Sequence, residues 1–128
     1  MPAVAMKEDL DPRRKLLNIV DGAHIDYEVP DCHVLVATYR RPEKTRGGIV
    51  LPASNLDEDL YQSKECLVLL AGHGASFNGQ PIEVHQWLVI RPQEAWAMEM
   101  IFPKGALHCR IVYDKYIKGR VLTPGSVW

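Results

Sequence analysis

From residue 31 onward the apolar side chains come in short runs, and a turn signal closes each run. Residues 33–39 (HVLVATY), 65–71 (ECLVLLA) and 86–91 (QWLVIR) are rich in β-branched and aliphatic side chains and too short for ordinary helices. Gly72-His73-Gly74 ends the second run and Pro92 the third. Residues 96–102 and 107–113 make two more, parted by Pro103-Lys104-Gly105, and 116–122 stops at Thr123-Pro124-Gly125. Asn78-Gly79 is a hairpin dipeptide, since a tight two-residue turn needs positive φ at both positions. This spacing predicts a mainly β chain of six or so strands. Closing them into a small, at most partly open barrel would dispose of exposed edges. The 65–71 run is apolar on both faces, which predicts a central strand.

A chain of 128 residues has room for one core. Its 15 basic and 16 acidic residues leave a formal net charge of −1, so no electrostatic footprint for nucleic acid exists and little repulsion opposes self-association. No apolar run reaches the roughly 18 residues of a membrane span, and the apolar stretch 1–6 is too short for a secretory signal. Cys32, Cys66 and Cys109 are odd in number and widely spaced, which predicts reduced thiols and a cytoplasmic protein rather than a disulfide framework.

Residues 1–30 read as an arm. Asp11 can cap a short helix with Pro12 at its first position. Leu16, Leu17, Ile19 and Val20 supply its apolar face, and Asp21-Gly22 ends it. Two or three turns are marginal alone, so this helix must dock on its own barrel or on a neighbouring subunit.

Residues 40–62 do not fit a compact barrel, because they are too many to join two strands. The segment opens with Arg40, Arg41, Lys44 and Arg46 and closes with Asp57, Glu58 and Asp59. In its middle, Gly47 and Gly48 make the backbone permissive ahead of the apolar triplet Ile49, Val50 and Leu51, which Pro52 stops. A mobile loop carrying three large apolar side chains is a binding device that orders on a partner's groove. Burying them contributes about 5–8 kcal/mol, at roughly 1.5–3 kcal/mol each. Ordering some eight loop residues costs on the order of 8–16 kcal/mol. One loop therefore binds weakly, and several on one ring add through effective concentration. Gly-Gly ahead of Ile-Val-Leu is equally how a turn feeds an ordinary buried strand. The Arg40, Arg41, Lys44 and Arg46 flank is either a solvated loop edge or a contact for acidic residues of a partner.

Val34-Leu35-Val36 followed by Glu43-Lys44-Thr45-Arg46-Gly47-Gly48-Ile49-Val50-Leu51-Pro52 resembles the first strand and mobile loop of the GroES-type co-chaperonin family. Residues 65–74 resemble that family's next strand with its Gly-x-Gly exit, and 107–121 its closing strands. The resemblance covers residues 31–122 as a barrel domain, with 1–30 as an arm and 123–128 as a tail. It implies a partly open GroES-like β-barrel and a homo-oligomeric, seven-subunit ring. It implies that Ile49, Val50 and Leu51 dock on the apical domains of a chaperonin, with Gly47 and Gly48 as hinge. It also implies a subunit interface through Val34, Leu35, Val36, Tyr116, Ile117 and Val121. No cofactor, metal, nucleic acid or membrane partner is expected. His85-Gln86 stands where the family usually has Gly-Asp. The extra arm and tail look more like the co-chaperonin-like proteins of tailed bacteriophages. The alternative function is then a virion component, a capsid-stabilising or decoration subunit that contacts phage capsid proteins.

Catalysis finds little footing. Cys32-His33 and His108-Cys109 are adjacent pairs, and adjacent strand residues point to opposite faces, so a shared zinc would need one residue from each pair with two further ligands, and no Cys-x-x-Cys spacing is present. Gly72-His73-Gly74 lacks the glutamate and the dinucleotide-binding domain of zinc alcohol dehydrogenases. Trp87 and Trp96 are expected in the core or at an interface, and Trp128 tucked against the arm or a neighbour.

Overall fold

The β-branched runs become strands almost where the sequence puts them. The computed structural model describes residues 12–40 and 61–125. Helix α1 (Pro12–Val20) precedes β1 (His33–Thr38), β2 (Glu65–Ala71), β3 (Ser76–Phe77), β4 (Gln80–Pro81), β5 (Trp87–Ile90), β6 (Ala95–Phe102), β7 (Gly105–Tyr113) and β8 (Ile117–Val121). All but β3 and β4 join one antiparallel sheet in the order β6-β7-β1-β2-β5-β8. The chain is mainly β. Strand β2 lies between β1 and β5, as its two apolar faces predict. Strands β6 and β8 are the sheet's two edges, and no ladder joins them among the described residues.

Both faces of the sheet are covered by core. On one face Val34, Val36, Cys66, Val68, Leu88, Ile90 and Val112 form a buried cluster that includes Ala75 and Ile82 around the β3–β4 hairpin. On the other, Leu35, Ala37, Leu67, Leu69, Trp87 and Cys109 pack beneath the arm. The period-2 alternation of β1 thus divides its side chains between two cores. Register shifts in the β1–β2 ladder at Leu35/Val36 and in the β5–β8 ladder at Val89/Ile90 bend the strands.

The arm docks on its own sheet. Leu16, Leu17, Ile19 and Val20 of α1, with Ala23, Ile25 and Val29, pack on the second cluster. Asp21 and Gly22 end the helix with φ of 44° and 68°, and Asp21 N–H donates to the Leu17 carbonyl. Asn78 and Gly79 take φ of 56° and 78°, which sets the β3–β4 hairpin.

Gly72 closes the exit of β2 against the end of the arm. Its N–H donates to the His33 carbonyl at 2.7 Å, and Cys32 N–H donates to the His73 carbonyl at 2.9 Å. A Cβ on Gly72 would overlap the Pro30 carbonyl oxygen, so only glycine lets the two backbones approach this closely.

One expectation is corrected by the burial pattern. Val34, Leu35 and Val36 are fully buried, and β1 is paired on both sides, with β7 and with β2. They have neither side-chain surface nor strand edge to offer a neighbouring subunit. Of the two tryptophans expected in the core or at an interface, Trp87 is buried and Trp96 is 75% exposed. No helix among the described residues is long and apolar enough to cross a membrane.

Candidate functional site

The segment singled out in the sequence leaves and re-enters the sheet at one end of the β1–β2 pair. The ladder runs to Thr38 opposite Cys66, and Tyr39 N–H donates to the Glu65 carbonyl at 2.9 Å. Residues 41–60, with Arg41, Lys44, Arg46, Gly47, Gly48, Ile49, Val50 and Leu51, lie outside the described residues, as does Trp128. Arg40 is exposed at the end of β1. The structure describes the two ends of this connection.

That base is polar and largely buried. Thr38 is 3% exposed, and its Oγ1 lies 2.7 Å from His108 Nδ1 on β7. The Tyr61 ring stands edge-on to the His108 imidazole at 5.4 Å, on the returning side of the connection. Arg110 is 2% exposed, and its Nη1 donates to the Ser63 carbonyl at 2.6 Å and meets Cys66 Sγ at 3.7 Å. Glu65 is fully buried, and its carboxylate accepts from Gly125 N–H at 2.6 Å, tying the C-terminal end of the described chain to the same corner. Tyr39 packs edge-to-face on Trp87 at 5.9 Å. Both the departing strand and the returning residues are thus held by buried hydrogen bonds. Such groups are expensive to strand in an interior, so their geometry is fixed.

The electrostatics of the base follow from its burial. Desolvation, then the Arg110 charge, push His108 below its ordinary 6.5, with Glu99 pulling the other way. Its Nε2 is buried without a hydrogen-bond partner. Burial pushes the Cys66 thiol up to about 11 despite the adjacent Arg110, and the Cys109 thiol up to about 12. Both sulfurs are protonated at neutral pH and make poor nucleophiles or ligands. Among the described residues no group of three or more His, Cys, Asp or Glu side chains is placed to hold a metal ion.

Of the other expected interface residues, Ile117 is buried and Tyr116 and Val121 are half-buried, on and beside the edge strand β8. Sequence reasoning missed the cluster of Thr38, Ser63, His108 and Arg110. The signal for it is the alternation of His108, Arg110 and Val112, which places two polar residues and an apolar one on one face of β7.

No family model matches the chain, and no curated protein matches it.

Proposed function

We propose that this protein is a non-enzymatic binding module of the GroES co-chaperonin type. It forms a homo-oligomeric ring and docks Ile49, Val50 and Leu51 on the apical domains of a chaperonin to assist protein folding. The observation that carries the reading is the adjacency of β1 and β2. They are hydrogen-bonded neighbours running antiparallel, which a two-residue turn could join, yet residues 41–60 separate them. Chain in such excess of what closure needs is spent on something other than the fold. The buried anchors at Thr38, Ser63, Glu65 and Arg110 give that connection a rigid base. A rigid base limits ordering on binding to the connection itself.

On this reading the sheet is a partly open barrel. Edge strand β8, which pairs only with β5 among the described residues, supplies part of the ring interface through Ile117 and Val121. Exposed Trp96 and Ile101 on the opposite edge strand β6 favour a second reading, a phage virion component that uses that edge for lattice contacts. A pull-down with a chaperonin, with and without ATP, separates the two. Nucleotide-dependent capture that Val50→Asp abolishes, with the ring intact by light scattering, supports the co-chaperonin. Absence of capture, together with stoichiometric presence in purified phage particles, supports the virion role.

A further inference from the structure

The C-terminal end of the chain makes a crossing that the strand order does not require. Strand β8 is an edge strand, and its last residue, Val121, pairs with Trp87 on β5. By Gly125 the chain has passed over β5, and the Gly125 N–H donates to Glu65 Oε2 on β2, the next strand in. Glu65 alternates with Leu67 and Leu69 along β2, so its side chain shares their face, the one whose core holds Tyr39 and Trp87. Gly125 meets the same core, since a Cβ there would stand 3.6 Å from the Tyr39 hydroxyl. Residues 122–125 therefore cover from the C-terminal side a core that the arm covers from the N-terminal side.

Two features make this contact a fastening rather than a passing touch. Gly125 takes φ of 93°, a conformation that a residue with a side chain resists. Glu65 is fully buried, and a buried carboxylate is costly unless donors meet it. At 2.6 Å the Gly125 N–H meets it with a short, charge-assisted bond. The backbone around Glu65 in turn holds two neighbouring strands. Tyr39 N–H donates to the Glu65 carbonyl at 2.9 Å, and Ile90 N–H donates to the Lys64 carbonyl at 2.7 Å. One residue is thus gripped through its side chain by the C-terminal segment while its backbone grips the end of β1.

We propose that residues 122–125 are a strap whose bond to Glu65 sets how firmly Tyr39 is held, which makes the C-terminal end a control point for the base of the 41–60 connection. Whatever draws residues 123–125 off the sheet takes a donor from Glu65 and loosens Tyr39. The strap does not depend on what residues 41–60 bind.

The test uses the full chain carrying Gly125→Pro, which removes the N–H and excludes a φ of 93°. Native-state amide hydrogen exchange is read at Tyr39 and Ile90, with the β6–β7 ladder as the internal reference. Tyr39 and Ile90 should exchange at least about tenfold faster, and the β6–β7 amides less than about twofold faster. Glu65→Gln keeps the shape of the side chain and an acceptor oxygen while removing the charge. Gly125→Pro should accelerate Tyr39 less in Glu65→Gln than in the unaltered chain, because an amide short of a donor costs less than a carboxylate. Unchanged exchange at Tyr39 in Gly125→Pro, an equal acceleration across β6–β7, or the same acceleration with and without Glu65→Gln would each overturn the proposal.

Discussion

Thr38 Oγ1 and His108 Nδ1 lie 2.7 Å apart across the β1–β7 ladder, and this bond joins the departing end of the 41–60 connection to the strand beneath it. His108 is held neutral in the fold, since burial and then Arg110 lower its affinity for a proton. In the unfolded chain it titrates near 6.5. Below that pH the unfolded state binds the extra proton, so this residue's contribution to stability is complete above 6.5 and is lost as the pH falls below it. Urea unfolding at about pH 7.5 and about pH 5.5 should give lower stability at the acid pH, with a smaller difference in His108→Gln.

Gly72→Ala forces a Cβ into the Pro30 carbonyl oxygen, which is backbone and cannot swing aside. The substitution should cost about 3 kcal/mol and lower Tm by on the order of 10 °C. Gly79→Ala is the control for adding a methyl group at a glycine. That site is open, and only its positive φ resists a side chain, so a loss of about 1 kcal/mol is expected there.

His85 occupies φ of 68°, where an L side chain is strained. Its N–H donates to the Val68 carbonyl at 2.7 Å, and Gln86 next to it accepts Val68 N–H and, through Oε1, Glu83 N–H. The turn is thus built with a histidine held in a glycine conformation. His85→Gly should be more stable than His85→Ala by about 1 kcal/mol, the reverse of the order at negative φ. Thermal unfolding of the two variants side by side gives the sign.

The three cysteines should react unequally. Cys66 and Cys109 are fully buried with raised thiol pKa values, whereas Cys32 is half-buried at the exit of the arm. Under native conditions at neutral pH, iodoacetamide should label Cys32 alone, and Cys66 and Cys109 only after unfolding. Peptide mass spectrometry reads the three sites separately.

Much of the fold is legible in the residues. The β1 and β2 runs, the Asn78-Gly79 hairpin and the capped arm helix each carry a local signal that tertiary packing does not override. Arg110 is different. It lies on β7, an interior strand with core on both sides, so the guanidinium is buried and finds the Ser63 carbonyl. Trp96 is open to solvent in the single chain. Its size argues for burial, but it lies on an edge strand, beside a cavity completed by Tyr27 from the distant arm. Period-2 patterning shows which residues share a face and not what covers that face. The interface role expected of Val34, Leu35 and Val36 failed for the same reason, because apolar runs of a central strand and of a subunit contact look alike in sequence.

Whether residues 47–52 dock on a chaperonin is read by their hydrogen–deuterium exchange, in the protein alone and with a chaperonin plus ADP. Docking of the triplet should give a clear gain of protection across Gly47, Gly48, Ile49, Val50 and Leu51 on adding chaperonin and nucleotide together, lost in Val50→Asp. Exchange at these residues that is the same with and without the chaperonin would contradict it.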